Sequence, residues 1–144
     1  MNYTEIYPLL PNKKYDIIYA DCPWSYRDLS FRSGNNTFHG AKDQYPTLDL
    51  EQLKLLPIQD IAENDCLIFL WATGPNLDVA IELLSYWKFK YITVGFVWEK
   101  KFCNPGYYTM SSCEFCLIGK KGRIPKPRGS RNCLLYTSPS PRDS

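Results

Sequence analysis

The sequence predicts an α/β fold with a mainly parallel sheet and flanking helices, and three observations support this prediction. Short apolar runs of strand length alternate along the chain with segments whose apolar residues recur at helical spacing. This strand, helix, strand, helix, strand order favours right-handed crossovers between parallel strands. The first apolar run also ends abruptly on Asp21. Polar chemistry therefore begins where a strand stops, as it does at the ligand-binding edge of an open α/β sheet.

The first strand is predicted at residues 17–20, which form a continuous Ile-Ile-Tyr-Ala run. Runs of this kind are typical of strands buried on both faces, so we expect a central parallel strand. The polar segment 25–41 beyond it predicts a long loop beside the end of the strand. Such a loop is either a lid over a site or simply solvated.

The remaining elements follow in chain order. Asp49 and Gln52 have the spacing of a capping box and predict a short helix that ends at Pro57. Apolar residues at three-to-four spacing predict a second helix at residues 77–87. Further buried strands are predicted at residues 66–72, 91–98 and 113–118.

The tetrapeptide Asp21-Cys22-Pro23-Trp24 has the features of a binding site. Pro23 fixes its own φ and keeps Cys22 out of the α region, so the local carbonyls point in defined directions. Trp24 adds a flat apolar face beside these acceptors. A planar ligand with N–H donors at its edge, such as an adenine base, fits this arrangement. From the tetrapeptide alone, a strand-end turn with a structural tryptophan is an equally good interpretation.

The composition favours one globular domain. The chain has 144 residues and a formal net charge of +2, which suits a single core and leaves any phosphate binding to local patches. Its six cysteines lie largely in apolar runs and no secretory leader precedes them, so we expect reduced thiols and a cytoplasmic protein. The longest apolar run is far shorter than the ~20 residues that span a bilayer, so no membrane segment is predicted.

Two local features carry weaker signals. Cys113 and Cys116 form a C-x-x-C pair, but side chains at that spacing in a strand point to opposite faces. No second pair lies at zinc-finger spacing, so no metal site is predicted. The segment 120–131 is the one basic cluster, and it is either a phosphate contact or a solvated basic loop.

The motifs around Asp21 resemble those of the adenine-N6 methyltransferases. This family includes the catalytic subunit of the eukaryotic messenger-RNA N6-methyladenosine writer and bacterial and phage DNA methyltransferases. Asp-Cys-Pro-Trp resembles the family's Asp-Pro-Pro-Trp motif, and four further segments agree in order and approximate spacing from roughly residue 14 to residue 132. These segments are Gln44-Tyr45-Pro46-Thr47-Leu48, Leu67-Ile68-Phe69-Leu70-Trp71-Ala72-Thr73-Gly74, Phe96-Val97-Trp98-Glu99-Lys100 and Glu114-Phe115-Cys116-Leu117-Ile118-Gly119-Lys120-Lys121-Gly122.

The resemblance implies a Rossmann-like methyltransferase fold in permuted order, with the catalytic motif first, in a domain spanning residues 1–132. It implies methyl transfer from S-adenosylmethionine to the N6 amine of adenine in nucleic acid, with DNA favoured over RNA. It also implies roles for individual residues. These are a catalytic role for Asp21, Cys22, Pro23 and Trp24, substrate binding by Trp24, Tyr45 and Lys100, and cofactor binding by Asp21 and Glu114.

The chain departs from the family in two places. Cys22 replaces the first proline of the motif, which reduces rigidity but keeps the backbone carbonyl that serves as acceptor. Residues 133–144 lack helical or strand periodicity where the family continues with further strands and helices, and they resemble the translated adaptor of a metagenomic gene fragment. We therefore expect a foreign or disordered tail and an incomplete, C-terminally truncated methyltransferase.

Two other functions compete with an active adenine methyltransferase. A catalytically silent, nucleic-acid-binding fragment of such an enzyme is the main alternative. An amino-methyltransferase acting on cytosine is disfavoured, because such enzymes usually carry serine where this chain has Asp21.

Overall fold

The computed structural model describes residues 9–24, 48–104, 108, 111–125 and 133–136. Five strands and three α-helices lie in these ranges, with a 3₁₀ turn at Gly74–Asn76. In chain order the elements are β1 (Tyr15–Asp21), α1 (Leu50–Lys54), α2 (Ile58–Ile61), β2 (Ala62–Thr73), α3 (Leu77–Tyr86), β3 (Lys90–Asn104), β4 (Ser111–Lys121) and β5 (Cys133–Tyr136).

The described strands form one mixed sheet in the order β1-β2-β4-β3-β5. β1 pairs parallel to β2 and β3 pairs parallel to β5, whereas β4 is antiparallel to both of its neighbours. The prediction of a mainly parallel sheet is therefore corrected to a mixed one. The physical reason is the short connection at residues 105–110, since a parallel crossover needs a dozen or more residues.

The helices pack on one face of the sheet and build the core there. Ile68 and Leu70 of β2 and Leu117 of β4 are fully buried together with Leu83 and Leu84 of α3. Alternate residues of each strand point to this face, as the period of two in a strand requires. The core therefore lies between the sheet and α1 to α3.

β1 lies at the edge of the described sheet, so the prediction of a central strand buried on both faces is wrong for the described residues. Ile18 faces the core and is 8% exposed, but its neighbours Ile17 and Tyr19 are 59% and 70% exposed. A continuous apolar run does not reveal which face a helix will cover, because that depends on elements distant in sequence. β1 nevertheless ends at Asp21, as the sequence predicts.

The first helix forms as the sequence predicts. The Asp49 carboxylate accepts a hydrogen bond from the Gln52 backbone N–H at 2.8 Å, and the Gln52 side-chain oxygen accepts one from the Asp49 N–H at 3.0 Å. This reciprocal capping box starts α1. The Trp87 indole after α3 then donates to the Leu53 carbonyl of α1 at 3.2 Å, which ties the two helices together.

Part of the predicted disordered tail is a strand. Cys133–Tyr136 form β5 and pair with residues 96–99 of β3. The prediction that residues 133–144 lack regular structure is wrong for these four positions, because an exposed edge can recruit a short segment that has little pattern of its own. Residues 137–144 lie outside the described residues, and the domain boundary at residue 132 stays a prediction.

Within the part of the chain that the structure describes, no helix is both long and apolar enough to cross a bilayer.

Candidate active site

The residues of the candidate site converge at one end of the sheet. Asp21, the last residue of β1, is the register partner of Trp71 in β2. Two residues further along β2, Thr73 is paired with Glu114 of β4, and Glu114 is paired on its other side with Trp98 of β3. Because β4 runs antiparallel, its first residues lie at the carboxyl ends of β1, β2 and β3. Four strands therefore bring polar and aromatic side chains to one edge.

These side chains share the face of the sheet opposite the helices. Tyr19 and Asp21 are two residues apart on β1 and point to the same side. The Trp71 indole N–H donates a hydrogen bond to the Tyr19 hydroxyl, which places Trp71 on that side as well. The helix-facing neighbours of Trp71, Leu70 and Ala72, are buried at 0% and 2% exposure. The Tyr19, Asp21 and Trp71 side chains are thus separated from the helix-side core by the thickness of the sheet.

The Asp-Cys-Pro-Trp tetrapeptide is held by hydrogen bonds to its own backbone and to two other segments. The Cys22 carbonyl accepts from the Trp24 N–H, and the Pro23 carbonyl accepts from the N–H of the buried Leu48, both at 2.9 Å. The Trp24 indole N–H donates to the Trp71 carbonyl at 3.0 Å. A carbonyl oxygen has two lone pairs, so the Cys22 and Pro23 carbonyls can each accept one further donor. The motif is therefore rigid although Cys22 replaces a proline.

An ion pair lies beside Asp21. The Lys100 ammonium contacts the Glu114 carboxylate, with side chains 22% and 20% exposed. The same ammonium lies 5.4 Å from the centroid of the Trp98 ring, a cation–π distance. Lys100 therefore sits between an aromatic face and a carboxylate, in a partly desolvated position.

Burial and the neighbouring charges change the acidity of both titratable groups in the motif. Desolvation raises the pKa of Asp21, the negative charge of Glu114 raises it further, and Lys100 partly opposes them. Burial, helped by the Asp21 charge, raises the pKa of the Cys22 thiol to about 12. Cys22 is therefore a neutral thiol near pH 7 and not a thiolate nucleophile.

Residues 15–132 match the sequence pattern of the MT-A70 family. The chain belongs to the MT-A70 family.

Individual relatives agree with this assignment. The chain is 45% identical over 140 residues to the Type II methyltransferase M.MunI of Mycoplasma sp, an alignment that covers 89% of this chain and 60% of the relative. It is 29% identical to the Arabidopsis thaliana N(6)-adenosine-methyltransferase MT-A70-like protein, over 82% of this chain and 16% of that protein. It is 26% identical to the Danio rerio N(6)-adenosine-methyltransferase subunit METTL3, over 76% of this chain and 18% of that protein. The chain thus spans about 60% of the first of these relatives and less than a fifth of the other two.

Most of the residues predicted from the resemblance to adenine-N6 methyltransferases are brought together. Asp21, Lys100 and Glu114 interact, and the Cys22-Pro23-Trp24 segment adjoins them. Lys100 and Glu114, for which the resemblance implies separate roles in substrate and cofactor binding, form a pair with each other. Tyr45 lies outside the described residues.

Sequence reasoning misses the aromatic side chains that surround this charged group. Tyr19, Trp71 and Trp98 all belong to segments that the sequence predicts as strands, but the apolar pattern alone indicates no role for them at the site. The alternation of side chains along a strand is the sequence signal that could have identified two of them. Tyr19 shares a face of β1 with Asp21, and Trp98 shares a face of β3 with Lys100. The pairing of Trp71 with Asp21 requires the register of β1 and β2, which the sequence does not give.

No group of three or more His, Cys, Asp and Glu side chains within the described ranges is arranged to hold a metal ion. Cys113 is half-buried and Cys116 is buried, and both are free thiols.

Proposed function

We propose that this chain carries the catalytic motif of an S-adenosylmethionine-dependent methyltransferase that modifies the N6 amine of adenine in nucleic acid. The observation that carries the proposal is the Asp21 carboxylate, fixed at a strand end beside the Lys100–Glu114 pair. The order of β1, β2 and β3, with the motif at the end of the first strand, supports a permuted Rossmann-like arrangement.

The charges at the site fit S-adenosylmethionine. Asp21 and Glu114 supply two carboxylates, and Lys100 supplies one ammonium, so the cluster has an excess of negative charge when all three are ionised. A sulfonium cation is favoured in such surroundings. Asp21 and Glu114 are the residues proposed to hold the cofactor, which supplies an electrophilic methyl group when bound.

The motif would act on the amine by orienting it. The exocyclic amine of adenine is a weak nucleophile, because its lone pair is delocalised into the ring. In this proposal Asp21 accepts one N–H, and the Cys22 or Pro23 carbonyl, each already accepting one backbone hydrogen bond, accepts the other through its second lone pair. Fixed acceptors turn the nitrogen lone pair out of conjugation and stabilise the positive charge that develops on nitrogen.

The Asp21 carboxyl group must be ionised to accept the N–H of the amine. Since the pKa of Asp21 is raised by burial and by Glu114, Lys100 is the group that opposes its protonation. If the substrate is a duplex, the target base must first leave the stack to reach the motif.

DNA is the proposed substrate class. The chain is 45% identical to a Type II methyltransferase, but only 29% and 26% identical to two proteins named for adenosine, the ribonucleoside. Together with the resemblance of the motifs to bacterial and phage DNA methyltransferases, the higher identity supports a DNA-modifying role.

Calorimetric titration with S-adenosylmethionine tests the proposal. We expect saturable binding that weakens in Asp21→Ala and is unchanged in Asp16→Ala, a matched control at the opposite end of β1. If the folded chain binds adenine-containing oligonucleotides but no S-adenosylmethionine, the methyltransferase proposal fails. The silent nucleic-acid-binding fragment would then be the better account.

A further inference from the structure

Four tryptophans occur in the chain, at positions 24, 71, 87 and 98, and three of them are engaged elsewhere. Trp24 packs against the core and its indole N–H is bonded to the Trp71 carbonyl. Trp87 is 2% exposed beneath the helices. Trp98 has the Lys100 ammonium over its ring. The sequence predicts a flat aromatic surface for a base at Trp24, but in the structure Trp71 is the better candidate for that surface.

Trp71 has the position that a base-stacking residue needs. It is partly exposed, and it is the direct register partner of Asp21 across the parallel β1–β2 pair. Backbones of adjacent strands are about 4.8 Å apart, so the two side chains rise side by side from the same face. The carboxylate and the indole therefore start from adjacent positions on one face of the sheet.

The hydrogen bond that orients the Trp71 ring is made by the edge of the ring and not by its faces. Its indole N–H donates to the Tyr19 hydroxyl, a bond made at the edge of the ring. Stacking of a base uses the π face and is compatible with that bond. An adenine needs an in-plane acceptor for its amine and an aromatic surface for its ring, and Asp21 and Trp71 offer this combination from adjacent positions.

We infer that Trp71 is the residue on which the target adenine stacks while Asp21 accepts the N6 amine. This inference rests on the proposed function and assigns the base-binding surface of that site. Trp24 then has a structural role, locking the motif onto β2.

The test is binding of a labelled single-stranded oligonucleotide with one adenine among abasic positions, measured by fluorescence anisotropy. Trp71→Leu removes the aromatic face and should weaken adenine-dependent binding by about 5- to 150-fold, the range given by about 1–3 kcal/mol of stacking per base. Trp71→Phe keeps a stacking face and should retain most of the affinity. Tyr91→Leu removes a surface aromatic at the far end of β3 and should bind like the unmodified chain.

Intrinsic fluorescence provides a second readout if Trp71→Leu does not fold. The tryptophan fluorescence of the unmodified chain should be quenched when the adenine oligonucleotide is added. Trp71→Phe should lose that quenching while still binding the oligonucleotide. Equal affinities of the unmodified chain and a folded Trp71→Leu would overturn the inference. So would the absence of any adenine-dependent binding by the unmodified chain. In either case, binding of S-adenosylmethionine that depends on Asp21 would show that the proposed function survives.

Discussion

Replacing Lys100 by methionine should destabilise the fold in a way that depends on pH. The variant keeps the length of the apolar stem but removes the charge that contacts Glu114 and lies over Trp98. Asp21 and Glu114 are then two carboxylates without the cation that opposes their repulsion.

The magnitude follows from the burial of the pair. Two unit charges 4 Å apart interact by about 4 kcal/mol at an effective dielectric constant of 20. Exposed pairs contribute about 0–1 kcal/mol net, whereas breaking a buried pair costs about 3–5 kcal/mol. The Lys100 and Glu114 side chains are 22% and 20% exposed, which lies between these limits. We therefore expect a loss of about 2 kcal/mol in the free energy of unfolding near neutral pH, including the cation–π contact.

The sign of the pH dependence is fixed by the Asp21 carboxyl. Its pKa is raised in the folded state, so ionisation costs stability, and protonation as the pH falls removes that cost. Without Lys100 the pKa rises further. The deficit of Lys100→Met relative to the unmodified chain should therefore shrink as the pH is lowered from neutral towards about 5.

Urea unfolding monitored by circular dichroism at both pH values measures this deficit. Adding Glu114→Gln to Lys100→Met should recover about 1 kcal/mol at neutral pH, because one of the two facing carboxylates is gone. Lys54→Met is the matched control: Lys54 pairs with Glu51 and Glu82 at 3.1 and 3.2 Å, away from Asp21, so its deficit should not follow the same pH profile. A Lys100→Met deficit that is the same at both pH values, or additive with Glu114→Gln, would refute the reasoning.

Three further predictions follow from single residues. Asp21→Asn should stabilise the fold near pH 7 by under about 1 kcal/mol, because the pKa of Asp21 is raised and its ionisation costs stability. This gain should disappear on acidification towards the ordinary carboxyl pKa, and the variant should lose methyl transfer. Urea unfolding at a series of pH values measures the stability change, and a variant less stable than the unmodified chain would contradict the prediction. Asp49→Ala should cost about 1 kcal/mol through loss of the capping bond to Gln52, whereas Asp49→Ser should lose much less in the same assay. Gly122→Ala should cost about 1–2 kcal/mol, because φ is +74° and the new methyl group would collide with the Asn64 backbone oxygen; an unchanged melting curve would refute this.

Much of the sheet and part of the site can be predicted from the sequence because they depend on local pattern. The Ile-Ile-Tyr-Ala run and the Asp21 that ends it specify a strand with polar chemistry at its end, and Asp49 with Gln52 specifies a helix start. These signals involve residues a few positions apart, so they do not depend on the rest of the fold.

The remainder depends on contacts between segments distant in sequence. The exposure of one face of β1 reflects where the helices pack, and the antiparallel β4 reflects the length of the β3–β4 connection. The pairing of Trp71 with Asp21 requires a register, and a slip of one residue would move Trp71 to the helix face. These facts cannot be obtained from periodicity alone.

The most direct test of the central claim is the product of the reaction. The chain is incubated with S-adenosylmethionine and an adenine-containing DNA oligonucleotide, and the digested nucleosides are identified by mass spectrometry beside a matching RNA. We expect N6-methyl-2′-deoxyadenosine from the unmodified chain and none from Asp21→Asn. A folded chain that binds S-adenosylmethionine but forms no N6-methylated adenine, or that methylates equally well with Asn at position 21, would contradict the proposed catalytic role of Asp21.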